Sequence, residues 1–269
     1  MVESQQAISL GVVDLVIAGG LVFIAGSISI ALRLGLHKTL AVATVRTVVQ
    51  LIMLGFILRW LFSIDDPVIL SLVLGAMMTS AGFAAVARSE RGFAGVHARA
   101  ILTLFITGTL TTFTVTGVVI GVEPWHDPQY VIPLMGMVLG NSLTGISLCL
   151  DSLLERLSER ADEVEMALSF GATAREAIAE PMRHATRRGM IPIINAMMIV
   201  GIVSLPGVMT GQILAGADPM EAVKYQLVVM FMLAASNAIG CVLLSLFVFK
   251  KLFNEKHQLR QALIVRRGK

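Results

Sequence analysis

Charge is the scarcest feature of this chain. Only 14% of its 269 residues are Asp, Glu, Lys or Arg, against about a quarter in ordinary soluble domains. No long polar stretch is left from which a separate soluble domain could be built. Cysteine is nearly missing as well. Cys149 and Cys241 both lie in apolar runs, which argues against a disulfide framework. No carboxylate follows Asp14 inside an apolar run, and there is no His-x-x-x-His or Cys-x-x-Cys. His37, His97, His126, His184 and His257 all sit in or beside loops, so no buried histidine cluster is expected and the metal ligands are unassigned. Gly-x-x-x-x-Gly-Lys-[Ser/Thr] is absent too; the only Gly-Lys pair is Gly268-Lys269, so the chain lacks the phosphate cradle of a P-loop ATPase. The first ten residues carry Glu3 and no Lys or Arg, unlike a cleavable signal peptide.

What is present is apolar sequence. Hydrophobic residues make up 56%, and the mean hydropathy is +0.82. The whole of 1–269 reads as one all-α, polytopic membrane domain, a helical bundle. About 20 apolar residues span a hydrocarbon core of about 30 Å, and seven such runs are found. They are Gly11–Leu32, Thr39–Phe62, Pro67–Ala87, Ala98–Gly121, Tyr130–Leu150, Ile191 to about Gly216, and Ala222–Phe249. A membrane barrel is excluded, because it needs short alternating segments. With the N-terminus outside and the C-terminus in the cytoplasm, 18 of the 21 Lys and Arg fall in inner loops or in the basic tail 250–269. That is the expected asymmetry of a bacterial inner-membrane protein. It also explains the net charge of +3 without nucleic acid, since no basic stripe carries interleaved aromatics. The outer loops, at Asp65-Asp66-Pro67 and Glu123 to Pro128, are short, acidic and turn-like.

One segment, 151–190, is long, charged and cytoplasmic in this scheme. Leu153, Leu154, Leu157, Val164, Ala167, Leu168 and Phe170 recur at helical spacing. A helix is expected to reach Phe170, with a turn at Gly171 where φ can be positive. A second, short helix should restart at Thr173, with Glu176 three residues on to complete a capping box. A helix–Gly–helix of this kind offers a soluble partner something to grip. The segment Glu165-Met-Ala167-Leu-Ser-Phe-Gly171 resembles the EAA loop of ABC-transporter permeases, with Pro181-Met182 standing where that family has Leu-Pro.

Further runs come in the matching order. Arg46-Thr-Val-Val-Gln50 is followed by Pro133-Leu-Met-Gly136 through Gly140-Asn141 to Gly145, and then by Leu205-Pro-Gly-Val-Met-Thr-Gly-Gln212 through Pro219. Together they resemble the FetB-type iron export permeases, which are similar to plant ABC permeases linked to aluminium tolerance. The resemblance implies a homodimeric, membrane-spanning subunit worked by a separate ATPase of the FetA type. It implies that Glu163, Glu165, Ala167, Phe170, Gly171 and Ala172 form the coupling helix, and that ATP and Mg bind the partner rather than this chain. Iron or another metal ion is the implied cargo. Sugar nucleotides or other small polar solutes are the alternative cargo, and an ATPase-independent secondary transporter or channel is the alternative mechanism. An intramembrane enzyme is disfavoured, because no run offers a nucleophile–base pair or metal ligands at helical spacing.

Polar residues inside apolar runs mark the expected pathway. Arg46 and Gln50 share a helix face; Arg46 either snorkels to the headgroups, bonds another helix, or lines the path. Asn141 and Asn195 read as interhelical hydrogen-bonding groups or as path-lining ones. Gly136 and Gly140, Gly117 and Gly121, and Gly207 and Gly211 make Gly-x-x-x-Gly pairs suited to close helix approach. Around Pro206 the backbone loses a donor. Met209, Thr210 and Gln212 then form either a gate at the outer mouth or a plain surface turn. The other methionines, among fifteen in all, read as adaptable packing groups.

Overall fold

The computed structural model describes residues 11–63, 66–254 and 256–266. The N-terminal ten residues, Asp65 of the first acidic turn, and the tail residues Arg267 and Lys269 lie outside these. Two compact units are found, one of 1–65 with 213–217 and the other of 66–212 with 218–269.

The smaller unit is built on a helical hairpin. α1 (Val12–Ala31) and α2 (His37–Leu61) are joined by a tight link. Arg33 and Gly35 take positive φ there, and Ser29 accepts from Leu36 N through its Oγ at 3.1 Å. Nearly every side chain of both helices is exposed. Exposed Val, Leu, Ile and Phe of this density suit a lipid environment rather than water.

The larger unit holds α3 (Pro67–Ala87), α4 (Val96–Thr114), α5 (Pro128–Glu159), α6 (Ala161–Ser169), α7 (Ala174–Ile199) and α9 (Pro219–Leu252). The short α8 (Gly207–Leu214) lies across the division. Three helices start the same way. Asp66, Asp127 and Asp218 each accept from the backbone N–H two residues on, at 2.8, 2.8 and 2.9 Å, and proline occupies the first helical position. Aspartate satisfies an orphan donor, and proline has none to lose. On α4 and the turn after it, the hydroxyls of Thr103, Thr107, Thr111 and Thr116 donate to carbonyls four residues back. The helix ends in a π-helical turn, Val115–Ile120.

Among the described residues, six helices are long and apolar enough to cross a membrane: α1, α2, α3, α4 with its π turn, α5 and α9. The chain is a polytopic helical bundle, as its composition requires. The expected sixth run, Ile191–Gly216, is not one helix. α7 begins far upstream and carries Arg183, Arg187 and Arg188 before its apolar half. It stops at Ile199, where Gly201 turns at φ +81 and donates to Ser204 O at 2.9 Å. Helix resumes only at Gly207, after Pro206.

α5 is the central helix, and small residues let α7 and α9 close on it. A Cβ at Gly189 would lie 2.6 Å from Cys241 Sγ and 2.7 Å from the carbonyl oxygen of Gly145. At Gly145 it would collide with the side chain of Asn237. The expected close approaches at Gly140, Gly117, Gly207 and Gly211 are not found: a Cβ at any of them meets nothing within 4 Å. Spacing identified pairs of glycines but not which helix face was covered. Around the junction, Leu134, Val138, Ile193, Val229 and Met230 form a continuous apolar cluster.

Candidate functional site

The polar segment is the best-defined site in the larger unit. It is not a loop: α5 and α7 both extend into it, and α6 bridges them. α6 ends in paired carbonyl caps, with Gly171 N donating to Leu168 O at 3.0 Å and Ala172 N to Ala167 O at 3.1 Å. Gly171 takes φ +91, which this cap geometry requires. Thr173 then opens α7. Its N–H and Oγ1 both donate to Glu176 Oε2 at 2.8 Å, and its Oγ1 accepts from Glu176 N at 3.4 Å. These bonds, the backbone one first, hold the Glu176 carboxyl below the usual carboxylate range. The helix that follows is 26 residues long rather than short.

Burial separates an anchored side from a free one. Ala161, Val164, Ala174, Ala177 and Ile178 are buried. Arg156 pairs with Glu180 at 2.8 Å and Arg188 with Glu155 at 3.3 Å, tying α5 to α7. Facing outward are Glu163, Glu165 and Gly171, with Ala167 and Ala172 half-buried. Met166 is 59% exposed and Phe170 is 86% exposed. A phenylalanine held that far out on a doubly capped corner is a ready contact for another protein.

The tail belongs to this face, which sequence reading missed. His257 Nδ1 accepts from Ala174 N at 3.3 Å, and Gln261 Nε2 donates to Ser158 O at 2.9 Å. Strand β2 (Val265–Arg266) pairs antiparallel with β1 (Arg91–Gly92) of the α3–α4 link. Lys256, His257 and Arg260 face Glu165 across a polar hollow of about 590 Å³. Two-residue strands leave no periodic signal, so only the basic composition of the tail was legible.

The expected pathway residues lie on different helices. Arg46 and Gln50 are exposed on α2, within the smaller unit. Asn141 and Asn195 are exposed on α5 and α7, and Asn141 Nδ2 donates to Met137 O at 3.1 Å. The buried polar contacts lie at neighbouring positions instead. Ser142 and Ser236 hydroxyls stand 2.7 Å apart, and Asn237 Nδ2 donates to Gly189 O at 3.0 Å. Thr210 Oγ1 donates to Pro206 O at 3.0 Å, and among the described residues the buried Oε1 of Gln212 has no hydrogen-bond partner. Met209 lines an apolar cavity of about 310 Å³ with Leu205, Pro206, Met230 and Gln226. The Oε1 of Gln226 is likewise buried without a partner among the described residues. Among the described residues no three His, Cys, Asp or Glu side chains cluster as a metal site.

Comparison with known proteins follows the same outline. The family described as "Uncharacterised protein family (UPF0014)" matches residues 12–253. UPF0014 membrane protein slr1647 of Synechocystis sp. is 37% identical over 214 residues, covering 80% of this chain and 83% of that one. Probable iron export permease protein FetB of Escherichia coli is 33% identical over 247 residues, 91% and 93% of the two chains. UPF0014 membrane protein STAR2 of Oryza sativa is 33% identical over 252 residues, 94% and 87%. No solved structure matches the chain. The chain, with six membrane-length helices among its described residues and 80–94% of its length matched by these relatives, belongs to the UPF0014 family of multi-pass membrane proteins.

Proposed function

We propose that this chain is the membrane-spanning permease subunit of an ATP-driven exporter in the inner membrane, coupled to a separate ATPase through α6 and the start of α7. One observation carries the reading. The corner from Glu163 to Ala172 is rigidly capped on both sides of Gly171, anchored by Val164 and Ala174, and presents Phe170 outward. A corner fixed in this way transmits a push instead of absorbing it, as a switch between inward- and outward-facing states requires. The ATPase supplies ATP and Mg, and two copies of this chain form the exporter.

The name of the FetB relative supports iron, or another metal ion, as the cargo. Met209, Thr210 and Gln212 beside the Pro206 break are assigned to the outer gate. Arg46 and Gln50 on α2, Asn141 on α5 and Asn195 on α7, all exposed, are assigned to the path. Irregular backbone at membrane depth is tolerated where protein or a wet cavity surrounds it, which suits a gate.

The test is a pull-down of tagged protein from native membranes, comparing wild type with the Glu165→Ala/Gly171→Pro double variant. Co-purification of an ATPase subunit that the double variant loses, with membrane insertion unchanged, is the expected result. No ATPase in any mild detergent would remove the reading and favour gradient-driven flux.

A further inference from the structure

Along one face of α7, Arg175, Arg183 and Arg187 line a groove against α9, joined there by Lys250. The groove measures about 780 Å³, and apart from Thr186 its remaining wall is apolar, including Met182, Met190, Val242, Leu246 and Phe249. Val242 and Leu246 are 46% and 41% exposed.

The level of these charges follows from two contacts. Gly189 packs on Cys241, and Ala174 N meets His257 Nδ1 at 3.3 Å. The helices therefore run antiparallel, with Arg183 and Arg187 beside the apolar stretch of α9 that ends at Phe249. Side chains on a helix tilt toward its N-terminus, so both guanidinium groups reach toward the basic end and Lys250. Arg188, on another face, does the same and finds Glu155 at 3.3 Å. Glu180 is engaged by Arg156, and Glu176 by Thr173. Among the described residues no carboxylate pairs with Arg175, Arg183, Arg187 or Lys250. Arg183 and Arg187 also repel each other as like charges one turn apart.

Cations at this depth need an anion, and the described residues provide none. We infer that the α7–α9 groove binds an anionic phospholipid, its phosphate held by Arg183, Arg187 and Lys250 and its acyl chains lying on Val242, Leu246 and Met190. The charge complementarity and the order of the lining, cations toward the basic end and apolar side chains deeper, match how a lipid stands in a leaflet. A second copy is a poorer occupant, since a two-fold contact at this face sets arginine against arginine. The inference does not depend on coupling to an ATPase.

Native mass spectrometry of the purified chain, given phosphatidylglycerol or phosphatidylcholine with the same acyl chains, tests it. Wild type should retain phosphatidylglycerol at least about tenfold more strongly, and Arg183→Gln/Arg187→Gln/Lys250→Gln should bring the two to parity. Val242→Trp keeps every cation but fills the apolar wall; it should lose the lipid too, which covers the case of a triple variant that fails to fold. Lys251→Gln, outside the groove, should change nothing. Parity in wild type, or undiminished retention in the triple variant, would overturn the assignment. So would displacement by soluble glycerol phosphate, which would make the ligand a headgroup-sized anion. Cross-linking of two copies through Arg187→Cys would hand the groove to a second chain.

Discussion

At Gly189 three helices meet with no room for a methyl group. A Cβ there would press on a backbone oxygen and on Cys241 at once, and the backbone oxygen cannot rotate away. Gly189→Ala should therefore destabilise the larger unit by about 1–3 kcal/mol, the usual cost of overpacking; thermal unfolding in detergent would show it, and an unchanged midpoint would contradict the packing. Asn237 holds Gly189 O. Asn237→Leu should cost less, about 0.5–1.5 kcal/mol, because it removes one buried side-chain bond to a mid-helix carbonyl. Glu176 behaves differently because it is exposed. Its folded pKa is lowered by the bonds from Thr173, so its stabilisation is complete above the ordinary carboxylate range. That stabilisation fades as pH falls through the folded value. The protection of the Thr173–Ala177 amides, taken as exchange relative to the intrinsic rate at each pH, should fall on acidification in wild type, and Glu176→Gln should show the lower protection at every pH.

The corner formed by α6 and α7 ranks above any of its residues. Gly171→Pro fixes φ near −65° where the chain needs +91, so both caps should fail together. The expected outcome is loss of transport with insertion intact; full transport would show that the corner transmits nothing. This element was readable beforehand because its signals are local: Gly171 for the turn, Thr173 with Glu176 for the restart, and apolar spacing for the buried side. The membrane-length helices were readable for the same reason, apolar length being a property of a contiguous run. What sequence could not show was tertiary. Serine and asparagine look alike along a helix, and only packing puts Ser142 and Asn237 inside while leaving Asn141 outside. Likewise the break after Ile199 depends on Gly201 as much as on Pro206, and the extension of α5 and α7 into the polar segment depends on their pairing through Arg156, Glu180, Arg188 and Glu155.

For the whole molecule, the distribution of arginine and lysine sets the orientation expected in the bilayer. Phe170→Cys reports it directly: a membrane-impermeant maleimide should label this cysteine only from the cytoplasmic side. Background is low because Cys149 and Cys241 are both buried. Labelling from outside would invert the topology. The clasp between β1 and β2 has a consequence in time. Residues 261–266 leave the ribosome after every membrane-length helix of this chain has been made, yet they close onto the α3–α4 link and the end of α5. The face that carries α6 is therefore finished only when synthesis has passed Arg266. A nascent chain still lacking that stretch displays this surface unfinished, with the α3–α4 link and the end of α5 uncovered by their late-made partner segment.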